Sequence, residues 1–599
     1  MFVDYKGGAA FARCTDLPHS VGMVTDLSDH LVRRALRSLR AEIRHREELL
    51  NNKGVKDLID FELTGDPSCP PALVIVVDEF AALKSEVPEF YDGVVDVAQR
   101  GRSLGLHLIM ATQRPAGVIT DSLRANTNLR VALRVNDDSD STDVLGDTMA
   151  AHFDPGIPGR AAARTGPGRI TRFQGGYPGA RTYAEPPAPP IEVTQLDFGL
   201  GHPWKVATST QEGPKPEKDI IRVVAAVRQA ARAGQVRTPR RPWLEPLADR
   251  YNLENMAQRT DTELVLGAMD DPDHQRQIVT HFRPEEHGSV LILGAGGSGK
   301  TTALRTLGVA AGITPRGGPV HVYGLDFGGG GLTMLDQLPY VGSIVGGDDE
   351  ERVTRLVKLL LTTVDERAAR YNALRASSLS EYRTLANRPD EPRILLLLDN
   401  FGTFRAEYDT TIVRMAVYEA FRRIAADGRA VGVHVAMTAD RGPSVPTSVA
   451  SAFQQRVILR QANEDGYADL NVPRDVLSPQ SPPGRAMLQD MPEEMQIAIL
   501  GEDPSPVAQS RLIEELAAEI APRLTVRPER IRALPELVRV DELPGSVGGK
   551  PVLGLESQSL APLGFDPSGP LLVTGPRGSG RTSALRWFAE SLRRWQPGI

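Results

Sequence analysis

The run Gly294-Ala295-Gly296-Gly297-Ser298-Gly299-Lys300-Thr301 sets four glycines, an ammonium and a hydroxyl within eight positions. Glycines let consecutive backbone N–H groups turn inward around an anion, lysine neutralises phosphate charge, and a threonine hydroxyl suits magnesium. The apolar run Val290-Leu291-Ile292-Leu293 comes before it, and the helical pattern Thr302-Ala303-Leu304-Arg305 after it. A strand, loop and helix in that order aim a helix N-terminus at phosphate. ATP and Mg2+ are therefore the expected ligands, with residues 294–302 as the cradle. Asp399 ends the apolar run Ile394-Leu395-Leu396-Leu397-Leu398 and is the expected second magnesium anchor beside Thr301. Asn400 follows it, where a glutamate would orient and polarise the attacking water. A carboxamide cannot accept a proton, and such bases contribute about 10² to 10⁴ in rate, so this site should bind ATP well and hydrolyse it slowly.

Two further segments carry parts of the same equipment. Asp78-Glu79 is an intact acidic pair at the end of Leu73-Val74-Ile75-Val76-Val77, and Gln113 stands where a γ-phosphate sensor would close the next strand. These are the catalytic candidates of a first copy whose own phosphate loop, by the spacing of the second, would fall about 22 residues before Met1. The counterpart of Gln113 in the second copy is Asp440. Near the other end, a strand is expected at Leu571-Leu572-Val573-Thr574, leading into Gly575-Pro576-Arg577-Gly578-Ser579-Gly580-Arg581-Thr582. Arg581 replaces the lysine, and a planar guanidinium fits an ammonium's socket poorly, so Gly575, Gly578, Gly580, Arg581 and Thr582 should bind nucleotide more weakly or differently.

The elements that must position these groups are duplicated. Asp78 and Asp399 are 321 positions apart, Asp4-Tyr5-Lys6-Gly7-Gly8 mirrors Asp326-Phe327-Gly328-Gly329-Gly330, and Gly105-Leu106-His107 mirrors Gly432-Val433-His434. A period this long is a repeated domain. Within each copy, β-rich apolar runs alternate with helical patterns, which predicts an α/β fold with largely parallel sheets flanked by helices; with the phosphate loop, tandem P-loop NTPase domains are expected. The expected boundaries are a first domain over 1–183, a Pro-rich linker over 184–218, a second domain over 219–501, and the start of a third over 502–599, truncated after its loop.

Composition agrees. With 599 residues, 41% hydrophobic and 24% charged, the chain can bury several cores. Its net charge of −7 gives no overall basic field for nucleic acid, although a ring can concentrate charge in its pore. Two cysteines, Cys14 and Cys69, make no disulfide framework. No apolar run reaches the roughly 18 residues of a membrane span, and Met1-Phe2-Val3-Asp4 does not open a signal peptide. A cytoplasmic location is expected.

Together these residues resemble the FtsK/SpoIIIE class of ring-forming P-loop ATPases, and within it the EccC ATPases of type VII secretion systems. Val76-Val77-Asp78-Glu79-Phe80, Gly101-Arg102-Ser103-Leu104-Gly105, Ala111-Thr112-Gln113-Arg114-Pro115 and Gly324-Leu325-Asp326-Phe327-Gly328 carry the likeness. The resemblance implies RecA-like motor domains in tandem behind a membrane anchor at the cytoplasmic face, a homo-oligomeric ring, contacts with other secretion subunits, and export of small helical-hairpin substrates. It also implies that Arg102 reaches into a neighbouring ATP site, with Arg429 and Arg130 as further candidates. On this reading the chain is a fragment of a secretion motor, with little or no turnover by itself. Two other readings stand beside it: a double-stranded DNA translocase, and an ATP-binding structural or regulatory module.

Overall fold

The computed structural model describes the chain apart from residues 5–10, 26–28, 83–87, 114–122, 124–125, 183–216, 243, 258–259, 315, 558 and 599. Nearly all of the Pro-rich linker, Lys6 and Arg114 lie outside the described residues. Contacts divide the chain into two compact units, Met1–Pro246 with Asp270–Ile278, and Leu247–Met269 with Val279–Ile599.

The second unit is built on a ten-stranded sheet. Its order is Val341–Gly346, Val320–Asp326, Arg393–Asp399, Val433–Ala439, Val290–Leu293, Gln455–Leu459, Arg485–Leu488, Met495–Ile497, Leu264–Asp271 and Arg276–Phe282. The first six run parallel, and the next three join them antiparallel. Strands covered on both faces read as unbroken apolar runs, and every residue of Arg393–Asp399 is buried. The helix Glu350–Leu374 starts where Asp349 accepts the Arg352 N–H at 3.0 Å. It buries Val353, Leu356, Val357, Leu360 and Val364, the three-and-four spacing of one helix face.

The first unit has the corresponding strands in two pieces. Met23–Val24, Phe2–Asp4, Leu73–Asp78 and Leu106–Met110 form a four-stranded parallel sheet. Arg130–Leu133, Arg160–Gly166 and Arg169–Gln174 form a separate antiparallel sheet. In the second unit Val290–Leu293 joins the two parts, pairing with Val433–Ala439 on one side and Gln455–Leu459 on the other. No described residues of the first unit take that place, so Leu106–Met110 is an edge strand and Val74 and Ile109 are 42% and 55% exposed. The bridging strand is the one that leads into the phosphate loop.

Duplication extends to side chains that the sequence left unremarked. Arg46 donates to the carbonyls of Leu104 and Pro71, both at 2.9 Å. Arg367, 321 positions on, donates to Val431 and Pro392 at 3.0 and 2.9 Å. Asp57 and Ser378 cap equivalent short helices through the N–H groups of Asp60 and Glu381. Gly105 and Gly432 have φ of +69° and +72°, and a Cβ on either would strike a leucine of that helix, Leu58 at 2.1 Å or Leu379 at 2.7 Å. Only glycine satisfies both conditions.

The expected strand at 571–574 is not formed. A parallel strand needs hydrogen-bonded neighbours, and the described residues that follow it make only the helix Arg581–Trp595. That helix packs on the hairpin of Val552–Leu555 and Pro562–Gly564, with Trp587 Nε1 donating to Leu553 O at 2.9 Å and Ser591 Oγ to Val552 O at 2.8 Å.

His321 lies buried on Val320–Asp326, and burial pushes its pKa down to about 4. The folded state therefore holds it neutral while the unfolded chain protonates near 6.5. Its contribution is complete above about pH 6.5 and is lost as pH falls towards 4, up to about 3 kcal/mol. The thermal midpoint of the wild type should fall more steeply over that window than that of His321→Gln, measured by circular dichroism.

Candidate functional site

The phosphate loop of the second unit is held from both sides. Gly294 N–H donates to Ala439 O at 3.2 Å, Ala295 N–H to Arg460 O at 2.8 Å, and Gly484 N–H to Ser298 O at 2.8 Å. Gly299 has φ of +107°, and a Cβ there would meet Gly484 N at 2.7 Å. Around Gly296 and Gly297, by contrast, an added Cβ would meet nothing within 4 Å. Ser298 is buried and its Oγ is unpartnered among the described residues. Backbone amides around an open cradle, beside a hydroxyl without a partner, fit a phosphate chain.

Thr301 and Asp399 come together as expected, Thr301 Oγ1 donating to Asp399 Oδ2 at 2.8 Å. Thr438 completes the group, donating to Asp399 Oδ1 at 2.6 Å and accepting the Asn400 N–H at 2.8 Å. Sequence reasoning missed Thr438, whose only signal was a hydroxyl two positions before Asp440. The glycine run after Asp326 presses on the same pair. A Cβ at Gly328 would lie 2.2 Å from Asp399 Oδ2, and one at Gly331 would lie 2.5 Å from Thr301 Cγ2. Asp326 shapes that turn by accepting the N–H groups of Gly328, Gly330 and Leu332 at 3.0, 3.1 and 2.8 Å. A hydroxyl and a buried carboxylate at hydrogen-bond distance could hold Mg2+ together.

Lys300 Nζ donates to Gly294 O at 2.7 Å and Ala295 O at 2.9 Å, and lies 3.0 Å from Asp440 Oδ1. Thr302 Oγ1 accepts from Arg305 at 2.9 Å. Burial pushes the Arg305 guanidinium below its ordinary pKa, with the Asp399 charge opposing. Asn400 has φ of +62°; its amide oxygen caps the helix Phe401–Tyr408 through Thr403 N–H at 3.3 Å, and its Nδ2 donates to Phe327 O at 3.3 Å. Its side chain is thus spent on structure.

A buried charge network braces the strands behind the site. Arg393, fully buried, donates to Asp261 Oδ2 at 3.1 Å, Glu285 Oε1 at 2.9 Å and His434 Nε2 at 3.0 Å. His434 Nδ1 donates to Gly288 O at 2.7 Å. Burial, helped by Arg393, holds His434 well below the usual histidine pKa and therefore neutral. Burial pushes Glu285 upward, but its bonds from Ser380 and Arg393 prevail and keep its pKa low.

In the first unit the acidic pair also closes its strand. Asp78 Oδ1 accepts the Glu79 N–H at 3.0 Å, and Glu79 Oε1 accepts from Gln113 N–H at 3.3 Å, so Asp78, Glu79 and Gln113 converge. Glu79 has φ of +55°, the left-handed conformation that Asn400 also adopts. A non-glycine residue there costs about 1 kcal/mol or more and is commonest at functional sites. Arg102 is not with them. It is exposed in the turn before Leu106–Met110, about 16 Å of strand away from the end where Gln113 lies. Arg130 Nε donates to Thr127 O at 3.2 Å, and Arg429 Nε to Glu285 O at 3.0 Å.

The third loop repeats the fold of the second. Gly578 and Gly580 have φ of +86° and +87°, and a Cβ at Gly575 would meet Ser579 Oγ at 2.4 Å, as one at Gly294 would meet Ser298 Oγ at 2.5 Å. Arg581 and Thr582 open the helix Arg581–Trp595, and both are exposed. No group of three or more His, Cys, Asp or Glu that could hold a metal occurs among the described residues. No described helix is long and apolar enough to cross a membrane.

Comparison with known proteins places this geometry. The chain is 28% identical over its full length to "ESX secretion system protein EccC" of Geobacillus thermodenitrificans (strain NG80-2), covering 41% of that protein. It is 31% identical over 99% of its length to "ESX-4 secretion system protein EccC4" of Mycobacterium tuberculosis (strain ATCC 25618 / H37Rv), covering 48% of it. The chain thus spans less than half the length of these relatives. Among solved structures, the cytoplasmic domain of the Thermomonospora curvata type VII secretion ATPase EccC matches 94% of this chain and 65% of its own, at 26% identity and a TM-score of 0.74. The sequence profile of the FtsK/SpoIIIE family matches residues 1–117 and 250–469. Since that match takes in both copies and more than half of the chain, the chain belongs to the FtsK/SpoIIIE family.

Proposed function

We propose that the chain is the nucleotide-handling part of a type VII protein-secretion motor, with ATPase-like domains over 1–183 and 219–501 and the start of a third over 502–599. The likeness to the EccC cytoplasmic domain along 94% of the chain carries this reading. In it, residues 294–302 hold the phosphates of ATP, while Thr301 and Asp399 hold Mg2+. When bound, magnesium-ATP supplies a phosphoanhydride whose binding and hydrolysis can drive domain movement. Lys300 balances phosphate charge, Thr438 fixes the Asp399 carboxylate, and Gly328 and Gly331 keep the space beside Thr301 small. Asn400 offers no base, so this site binds more than it turns over. Asp78, Glu79 and Gln113 are the hydrolytic set of the first domain, converging at the strand end beside the open edge of Leu106–Met110. Arg102, at the far end of that strand, serves a neighbouring site in a ring.

The partners in this reading are other secretion subunits at the cytoplasmic face of the membrane, and the cargo is small helical-hairpin proteins. Deleting the coding sequence should leave such proteins inside the cell and remove them from the medium, read by mass spectrometry of both fractions. Unchanged export would overturn the assignment. Duplex DNA, added at low salt where phosphate contacts are strongest, should neither bind nor raise ATP hydrolysis; stimulation would favour a DNA translocase. A second reading has its own support in Asn400: the second domain keeps ATP as a structural ligand that regulates a partner motor.

A further inference from the structure

Lys300 has three protons and three close acceptors. Two are the carbonyls of its own loop, Gly294 O at 2.7 Å and Ala295 O at 2.9 Å. The third is Asp440 Oδ1 at 3.0 Å, and it arrives from outside the loop, one residue past the Val433–Ala439 strand. The Lys300 side chain is 14% exposed and that of Asp440 is 68% exposed, so the carboxylate covers the ammonium from the solvent side. The first copy has a neutral amide at this position, Gln113.

A carboxylate here is an anionic oxygen on the one cation of the cradle. A terminal phosphate needs that same cation, and it brings negative charge to the same face. The loop lysine reaches the β- as well as the γ-phosphate, but the β-phosphate is held also by backbone N–H groups at the helix N-terminus, which Asp440 does not engage. The cost of Asp440 therefore falls mainly on the third phosphate. Two unit charges about 4 Å apart near a protein surface repel strongly enough to alter binding by tenfold or more, even after partial screening.

We propose that Asp440 is a charge filter on the second phosphate loop, competing with the γ-phosphate for Lys300 and so favouring the diphosphate over the triphosphate. This rests on the reading of residues 294–302 as a nucleotide cradle. It makes the second domain responsive to the ADP to ATP ratio.

The test is calorimetric titration of the full chain with Mg-ADP and with the magnesium complex of the imido-bridged, non-hydrolysable ATP analogue. Wild type, Asp440→Asn and Asp440→Gln are compared, the last matching the first copy. Both substitutions should tighten the triphosphate analogue about 10-fold and ADP less than about 2-fold, with the difference shrinking at high salt. Equal tightening of both ligands, no change, or weaker binding of the analogue would overturn the charge filter and leave the cradle standing. If no form of the protein binds either nucleotide, the cradle reading falls and the filter with it.

Discussion

Lys300→Ala should abolish the thermal stabilisation that magnesium-ATP gives the second unit. A ligand at a hundred times its Kd stabilises the fold by about 2.7 kcal/mol, which is about 4 °C in a unit of this size. Lys300 supplies the only lysine in the eight-residue loop, and it is already aimed by two loop carbonyls at 2.7 and 2.9 Å. Without it, the amides of the loop must hold several negative charges with no nearby cation, and the shift should fall below about 1 °C. Differential scanning fluorimetry with and without the nucleotide measures it. An unchanged shift in the variant would mean that the nucleotide binds elsewhere.

Arg393→Met should have the largest effect on stability. The guanidinium is fully buried and bonds Asp261, Glu285 and His434 together. Removing it leaves Asp261 with Arg383 alone, at 2.7 Å, and leaves Glu285 charged without its guanidinium; breaking such a buried pair costs about 3–5 kcal/mol. The second unit should therefore melt about 4–7 °C lower or fail to accumulate. Glu285→Gln in the same background should recover part of the loss, because it removes the charge that Arg393 had balanced. A melting temperature within a degree of wild type would show that the network contributes specificity and little stability.

The sequence made the chemistry of the loop legible because every feature there is local. Four glycines, a lysine and a threonine lie in one run, and an apolar run before them can only be a buried strand. The duplication was legible because Asp78 and Asp399 each end such a strand at the same spacing. What escaped was set by contacts between strands. Thr438 matters only because Val433–Ala439 lies beside Arg393–Asp399 in the register that puts its hydroxyl 2.6 Å from Asp399 Oδ1. Arg46 and Arg367 look like ordinary charged residues of surface helices, yet each reaches inward to two carbonyls. The strand expected at 571–574 failed for the converse reason, since a β-rich run is not a strand without neighbours to pair with. Asp440 could be read as a lost sensor, but its contact with Lys300 belongs to the folded site alone.

The central claim is that the second unit binds nucleotide through Lys300 and hardly turns it over. A single-turnover experiment with γ-labelled ATP and the full chain in excess tests it most directly, with phosphate release followed beside Lys300→Ala. The account predicts bound, intact ATP in the wild type, none in the variant, and phosphate release in both at the level of buffer. Sustained phosphate release by the wild type that Lys300→Ala removes would contradict it, because a base other than Asn400 would then be serving this site.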